Sequence, residues 1–193
     1  MKHWNEGVHK EQCLAPKVRA FQLYNKVAKQ GFTQAQYYLG VMYNHGIGVE
    51  QSYKKAHKWY EKAAKQGHAN AQYNMGSMYY FGQHILQDYS EAVKWYEKAA
   101  EQGQADAQFY LGVIYKNGHG VDVNYKKAIK WYEKAAEQGH AVAQYNLGVK
   151  CEGGVGVDQS DSMAIRWYAK ADAQGHEGAQ ARIAAILARR RAS

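Results

Sequence analysis

An all-α solenoid of antiparallel helix pairs, wound as a right-handed α-α superhelix with a 36-residue repeat, is predicted by three periodic features of the chain. Five glycines, Gly31, Gly67, Gly103, Gly139 and Gly175, recur at intervals of 36 without an insertion. An Ala-Gln pair follows each, at Ala35-Gln36, Ala71-Gln72, Ala107-Gln108, Ala143-Gln144 and Ala179-Gln180. A Trp-Tyr pair precedes four of them, at Trp59-Tyr60, Trp95-Tyr96, Trp131-Tyr132 and Trp167-Tyr168.

The elements follow in order within one expected domain, residues 1–193. Residues 3–30 are expected to be a capping pair of helices: they keep the repeat register through Ala20, Leu23, Tyr24 and Lys26 but lack the Trp, and Pro16 is placed near a helix start, where it is tolerated. Four repeats occupy 31–66, 67–102, 103–138 and 139–174. In each, Ala35, Leu39, Gly40 and Tyr43 or their equivalents have the spacing of a first helix, A; Ala56, Trp59, Tyr60, Ala63 and Ala64 have that of a second, B. Gly46-Ile47-Gly48-Val49 lies between them, echoed at Gly118 and Gly154, and supplies the positive φ that ends helix A. Helix B then opens on Ser52, Asp88, Asn124 or Ser160, all strong N-caps, and Asp88 with Glu91 has the form of a capping box.

A glycine in mid-helix, as at Gly40, Gly76, Gly112 and Gly148, costs about 1 kcal/mol against alanine. Its use is close approach: the aromatic or alanine face of a neighbouring helix can pack on bare backbone. Residues 175–193 form a capping segment whose single helix, from about Glu177 to Arg189, brings the expected count to eleven.

Composition limits function. One Pro, 46% apolar and 22% charged residues in 193 place the chain among ordered globular proteins. Cys13 and Cys151 show no ligand spacing and are expected as small buried thiols. No run approaches the roughly 18 apolar residues of a membrane span, and the start carries no signal-peptide core, so membrane insertion is not expected and the default location is cytoplasmic. The net charge of +8 arises largely on helix B, where Lys54, Lys55, Lys58, Lys62 and Lys65 interleave with acids such as Glu61. That is a solvated outer face, and nucleic acid is not an expected partner. His68, His140 and His176 share one column, but repeat spacing holds them too far apart for one metal. Ser52-Tyr53-Lys54-Lys55 has the SxxK form of serine acyl-transferring enzymes, yet Ser52 falls in the cap column. Hence no catalytic residue, metal or cofactor is expected.

The string Ala143-Gln144-Tyr145-Asn146-Leu147-Gly148, with Lys127-Ala128-Ile129-Lys130-Trp131-Tyr132-Glu133-Lys134-Ala135-Ala136-Glu137-Gln138-Gly139, closely resembles the Sel-one-like repeat, a relative of the tetratricopeptide repeat. The likeness extends over about residues 15–187. It implies a scaffold or adaptor that binds a partner protein or peptide, in bacterial regulatory, envelope or toxin-neutralising settings. The alternative it carries is a weak β-lactamase-like hydrolase, as described for some secreted relatives, whose paired cysteines are missing here. Asn5-Glu6-Gly7-Val8 resembles the start that follows an export signal in bacterial relatives, so a periplasmic or secreted location is expected if the chain is a trimmed mature form.

If the pairs stack as tetratricopeptide units do, helix A lines the concave face. Its partner-binding residues would be Tyr37, Val41, His45, Asn70, Tyr73, Ser77, Tyr80, Phe81, Asp106, Phe109, Val113, Lys116, Tyr145 and Glu152. Of these, Tyr37, Tyr73, Phe109 and Tyr145 form one aromatic column that either faces the ligand or packs between neighbouring A helices. The segment Tyr80-Phe81-Gly82-Gln83-His84-Ile85 replaces the usual linker, with Phe81 and Ile85 expected as exposed apolar anchors; the alternative is a repacked turn with His84 at an unusual φ. Oligomeric state is left at monomer by default.

Overall fold

The computed structural model describes the backbone of residues 5–192 and the side chains of residues 16–191. Ten α-helices and no strand occur among the described residues: α1 (Asn5–Lys29), α2 (Thr33–His45), α3 (Tyr53–Lys65), α4 (Ala69–Phe81), α5 (Tyr89–Glu101), α6 (Ala105–Asn117), α7 (Tyr125–Glu137), α8 (Ala141–Gly153), α9 (Asp161–Asp172) and α10 (Ala179–Ala192). The chain divides into two compact units, residues 1–98 and 99–193. In the first, α1 packs on α2, α2 on α3 and α3 on α4; in the second, α6 packs on α7, α7 on α8, α8 on α9 and α9 on α10. By repeat register the A helices are α2, α4, α6, α8 and α10, and the B helices α1, α3, α5, α7 and α9.

The helix pair expected over residues 3–30 is instead the single helix α1, with Pro16 in its interior, which lowers the count from eleven to ten. Residues 8–30 contain no glycine and so no linker of the kind that ends an A helix. Pro16 removes one hydrogen bond from α1, but the turns beyond it are held against α2. The closing helix begins at Ala179, two residues later than expected.

The mid-helix glycines are explained by tyrosine. A methyl group at Gly40 would lie 2.5 Å from Cδ1 of Tyr60, and one at Gly76 2.7 Å from Cδ1 of Tyr96. Gly112 and Gly148 stand in the same relation to Tyr132 and Tyr168, again at 2.5 Å. All four tyrosines are buried, and alanines at Ala56, Ala63, Ala128, Ala135, Ala164 and Ala171 fill the rest of the B-helix seam. The A helix gives up about 1 kcal/mol of propensity so that an aromatic ring can reach its backbone.

The glutamine of each Ala-Gln pair is buried, a polar group in an apolar seam. Gln36, Gln72, Gln108 and Gln144 each donate from Nε2 to the carbonyl eight residues back, at Ala28, Ala64, Ala100 and Ala136, over 3.0–3.3 Å. In Gln36, Gln108 and Gln144 the Oε1 atom accepts in turn from the glutamine that closes the next B helix, Gln66, Gln138 and Gln174 respectively, each at 2.7 Å. One side chain thus ties an A helix to the B helices on both sides and leaves neither amide atom without a partner.

The B-helix caps form as expected. Backbone N–H groups of Lys55, Glu91, Lys127 and Met163 donate to Ser52 Oγ, Asp88 Oδ1, Asn124 Oδ1 and Ser160 Oγ at 2.9–3.4 Å. The capping box is only half made: Glu91 turns to Lys94 at 2.9 Å, while the Asp88 N–H donates to the Tyr79 carbonyl. In the A–B linker Gly48 has φ +68 and backs onto the Lys17 carbonyl, leaving no room for a side chain. His84 holds the same position in the next linker at φ 60, its ring stacked on Tyr53 at 3.7 Å and 9°. Ile85 packs against the core of the first unit, while Phe81 remains 49% exposed, so only one of the two expected apolar anchors reaches solvent. On the B helices Lys62, Lys98, Lys134 and Lys170 lie over Trp59, Trp95, Trp131 and Trp167 at 4.3–4.5 Å. Cys151 is buried; the Cys13 side chain lies outside the described residues.

Gly112→Ala is expected to lower stability by about 1–3 kcal/mol, overpacking against Tyr132 outweighing the gain in helix propensity. Thermal melting followed by circular dichroism checks this, and a raised midpoint would contradict the contact. Gln144→Leu is expected to cost about 1–3 kcal/mol, because it removes two buried hydrogen bonds at once and leaves the Ala136 carbonyl with backbone donors such as the Gly139 N–H alone and the Gln174 amide with the Lys170 carbonyl alone; urea titration measures it.

Candidate functional site

In the first unit the A helices α2 and α4 flank a cavity of about 240 Å3 lined by Tyr37, Val41, Asn44, His45, Tyr60, Asn74, Ser77, Met78 and Gln83. Four of the residues expected from sequence, Tyr37, Val41, His45 and Ser77, are brought together there. Their placement follows from helical spacing: Tyr37, Val41 and His45 step along one side of α2, and Asn74, Ser77 and Met78 along α4. Tyr60 enters from α3, where its contact with Gly40 fixes the ring. Asn44 Nδ2 and His45 Nε2 are 3.3 Å apart, and Ser77 Oγ lies 3.1 Å from the Tyr96 hydroxyl.

No lysine, arginine, aspartate or glutamate lines this cavity. Its polar groups are amides, hydroxyls and one imidazole over a floor of methionine, valine and tyrosine. Burial, with Tyr37 alongside, pushes the Tyr60 phenol well above the ordinary tyrosine value, against a hydrogen bond with Asn74. Burial, with Tyr38 beside it, raises the Tyr37 phenol in the same direction. Both hydroxyls therefore remain protonated donors. Such a wall offers hydrogen bonds of either sense to a neutral polar ligand.

Asn70, Tyr73, Tyr80 and Phe81 lie on α4 outside the cavity lining: Asn70 is exposed, Tyr73 approaches Tyr96 at 5.9 Å, and Tyr80 makes edge contacts with Phe81 and Tyr89. In the second unit two expected ligand contacts are engaged by neighbouring side chains, Glu152 mostly buried and Asp106 half-exposed. Glu152 accepts from the Tyr168 hydroxyl at 2.9 Å and faces Arg182 and Arg189 at 3.6 and 3.7 Å, which anchors α10. Asp106 accepts from Gln104 at 3.1 Å and sits 3.4 Å from His140. Val113 packs against the core, and Lys116 is half-exposed on α6.

Three rings of the aromatic column are roofed by histidines, while Gln104 holds the matching position after Tyr73. Tyr37 stacks on His68 at 4.4 Å, Phe109 on His140 at 4.6 Å and Tyr145 on His176 at 4.2 Å. His68 and His140 also cap the following A helix, Nδ1 accepting from Ala71 and Ala143 N–H at 3.2 Å. Sequence reasoning placed these histidines in one column but missed the stack. The signal for it was the constant offset of 31 between ring and histidine in each pair. Asn74, Met78, Gln83 and Tyr60 were also missed as cavity residues; of these, Gln83 falls in the linker that departs from the repeat.

Ser52 and Lys55 do not form a nucleophile and base. Ser52 Oγ accepts from the Lys55 backbone N–H, and the Lys55 ammonium lies 5.3 Å from the Tyr43 ring centroid. Among the described residues no group of three or more His, Cys, Asp or Glu is placed to hold a metal ion, and no helix is long and apolar enough to cross a membrane.

Five successive segments, residues 17–32, 33–68, 69–104, 105–140 and 141–176, match the Sel1 repeat. No curated protein matches. Among solved structures, a protective antigen of uropathogenic Escherichia coli with an SLR fold is 38% identical at a TM-score of 0.80, over 82% of this chain and 34% of its own. A Sel1 repeat protein from Oxalobacter formigenes is 36% identical, also at 0.80, over 84% of this chain and 66% of its own. An immunity protein from Pseudomonas aeruginosa is 26% identical at 0.54, over 85% and 61%. The chain thus spans about a third of the first and just under two thirds of the second.

The caps make stability depend on pH. Burial lowers the pKa of His68 and His140 below the ordinary 6.5, the nearby Asp106 only partly opposing it at His140. The unfolded chain then binds protons more readily, so the contribution is complete above pH 6.5 and is lost as pH falls through the depressed folded values. The variant His68→Gln/His140→Gln borrows the cap that Gln104 makes at the same position. Its melting temperature should fall less than that of the parent between about pH 7.5 and pH 5; an equal fall would remove the histidines from the account.

Proposed function

The chain belongs to the Sel1-repeat family, whose members generally mediate protein–protein interaction, and from that premise we propose that it is a non-catalytic adaptor holding a peptide segment of a partner protein in the α2–α4 groove. The observation that carries this reading is the neutral cavity whose amides and hydroxyls surround an apolar floor. Asn44, Asn74 and Gln83 match the donors and acceptors of a peptide backbone, and Tyr37, Val41 and Met78 receive a side chain. A charged ligand would enter with no counter-ion in the lining. The likeness to an immunity protein agrees with a protein as the partner. On α6 and α8 of the second unit, Lys116 and the rings of Phe109 and Tyr145 remain candidates for contact, whereas Asp106 and Glu152 are bound within their own unit.

The test is site-specific photo-crosslinking in the native host, with benzoylphenylalanine at Val41 in the groove or at Lys58 on the exposed side of α3. A defined protein adduct is expected from position 41 and not from 58. Asn44→Ala/Gln83→Ala should reduce its yield about fivefold or more with unchanged helicity. Equal adducts from both positions would refute the groove.

A further inference from the structure

Among the described residues, helix α1 stands in B-helix register with the A helix α2 after it and no A helix ahead of it. Residues 17–32 match the second half of a Sel1 repeat, while the residues ahead of them, from Asn5, continue the same helix. Ala20, Leu23, Tyr24 and Val27 correspond to Ala56, Trp59, Tyr60 and Ala63 of α3. In α3, with α2 packed on it, Ala56, Tyr60 and Ala63 are 0–3% exposed; in α1, Leu23 is 59% and Val27 37% exposed. These side chains and Ala35 line a cleft of about 290 Å3 that is almost wholly apolar. Phe32 holds the position at which His68, His140 and His176 each stack on a ring of the preceding A helix, yet it is 61% exposed.

The surrounding charge selects the occupant. From Pro16 to Val49 the chain has Lys17, Arg19, Lys26 and Lys29, all exposed, and no aspartate or glutamate. Lys17 is one turn from Ala20, and Arg19 and Lys26 lie one turn either side of Leu23, so the apolar stripe is edged with cations. We propose that this face docks an acidic amphipathic helix of a partner protein, which takes the place of the missing A helix. The repeat specifies its inner side: an aromatic residue against Phe32, as Tyr37 meets His68, and three positions later a small residue under Tyr24, as Gly40 lies under Tyr60. A second copy of the chain is a poor occupant. Among the described residues its α10 is an A helix that packs on the B helix before it and has none after it, but Arg182, Arg189, Arg190 and Arg191 would bring like charge to the face, and Ala184 stands where the glycine is required. The proposal is independent of the α2–α4 groove.

The test uses the full chain and fluorescein-labelled peptides read by anisotropy. The probes are the α6 sequence Ala105–Asn117, which carries Phe109 and Gly112, with its solvent-facing positions changed to glutamate or to lysine. The glutamate peptide should bind about tenfold or more tighter at low salt, and Leu23→Glu or Val27→Glu should abolish its binding with an unchanged melting curve. Should either variant fold poorly, Arg19→Glu/Lys26→Glu serves instead and should switch the preference to the lysine peptide. Equal affinity for both peptides, or no binding to either, overturns the proposal. So does self-association in sedimentation that Val27→Glu abolishes, which would name a second copy. Stronger binding to vesicles of anionic lipid than to the acidic peptide overturns it too, since the face would then be a membrane surface.

Discussion

A tyrosine ring pressed against a bare glycine sets the separation of the two helices in every hairpin, and the remaining packing is arranged around that distance. Gly40, Gly76, Gly112 and Gly148 each meet one tyrosine closely enough that a single methyl group would collide with it. At such range only alanine fits elsewhere along the seam, which accounts for the Ala63-Ala64, Ala99-Ala100 and Ala135-Ala136 columns. Full burial of a large side chain contributes roughly 1.5–3 kcal/mol, more than the roughly 1 kcal/mol that the glycine costs its helix. Between hairpins, buried carbonyls of the preceding B helix lie within reach of a glutamine, and the ladder of Gln36, Gln72, Gln108 and Gln144 uses them.

Whatever repeats was legible in the sequence. The period, the two helices of each unit, their caps and the purpose of the mid-helix glycines follow from residues that recur in columns, because each column reports one constraint several times over. What occurs once was harder to read. Pro16 suggested a helix start, but no glycine follows Gly7 before Gly31, and α1 runs through the proline unbroken. Ile85 looked like an anchor because its linker is atypical, yet His84 adopts the conformation that glycine holds elsewhere and the turn keeps its shape. Glu152 was expected to face a ligand from its position on helix A; its partners come instead from α10 and from Tyr168. A pairing between distant residues that occurs once leaves no periodic trace.

The site was partly legible for the same reason. Spacing on an A helix tells which side chains avoid the seam, and Tyr37, Val41, His45 and Ser77 do share one cavity. Spacing within one helix does not tell that a histidine 31 residues on covers Tyr37, or that Tyr60 reaches through from α3 to form a wall. The same side chains hold neighbouring repeats together and shape the groove, so conservative changes there act on both stability and recognition.

The four lysines lying over tryptophans have a consequence for the surface chemistry of the protein. Each amine shields an indole of its own helix, three residues away, from water. Acetylation or any other neutralising modification of those amines would leave the helices intact and yet strip the cation from apolar surface at Trp59, Trp131 and Trp167, Trp95 being buried already. Colloidal solubility would then be lost before folded structure, through a change that no melting experiment on the isolated helices would register.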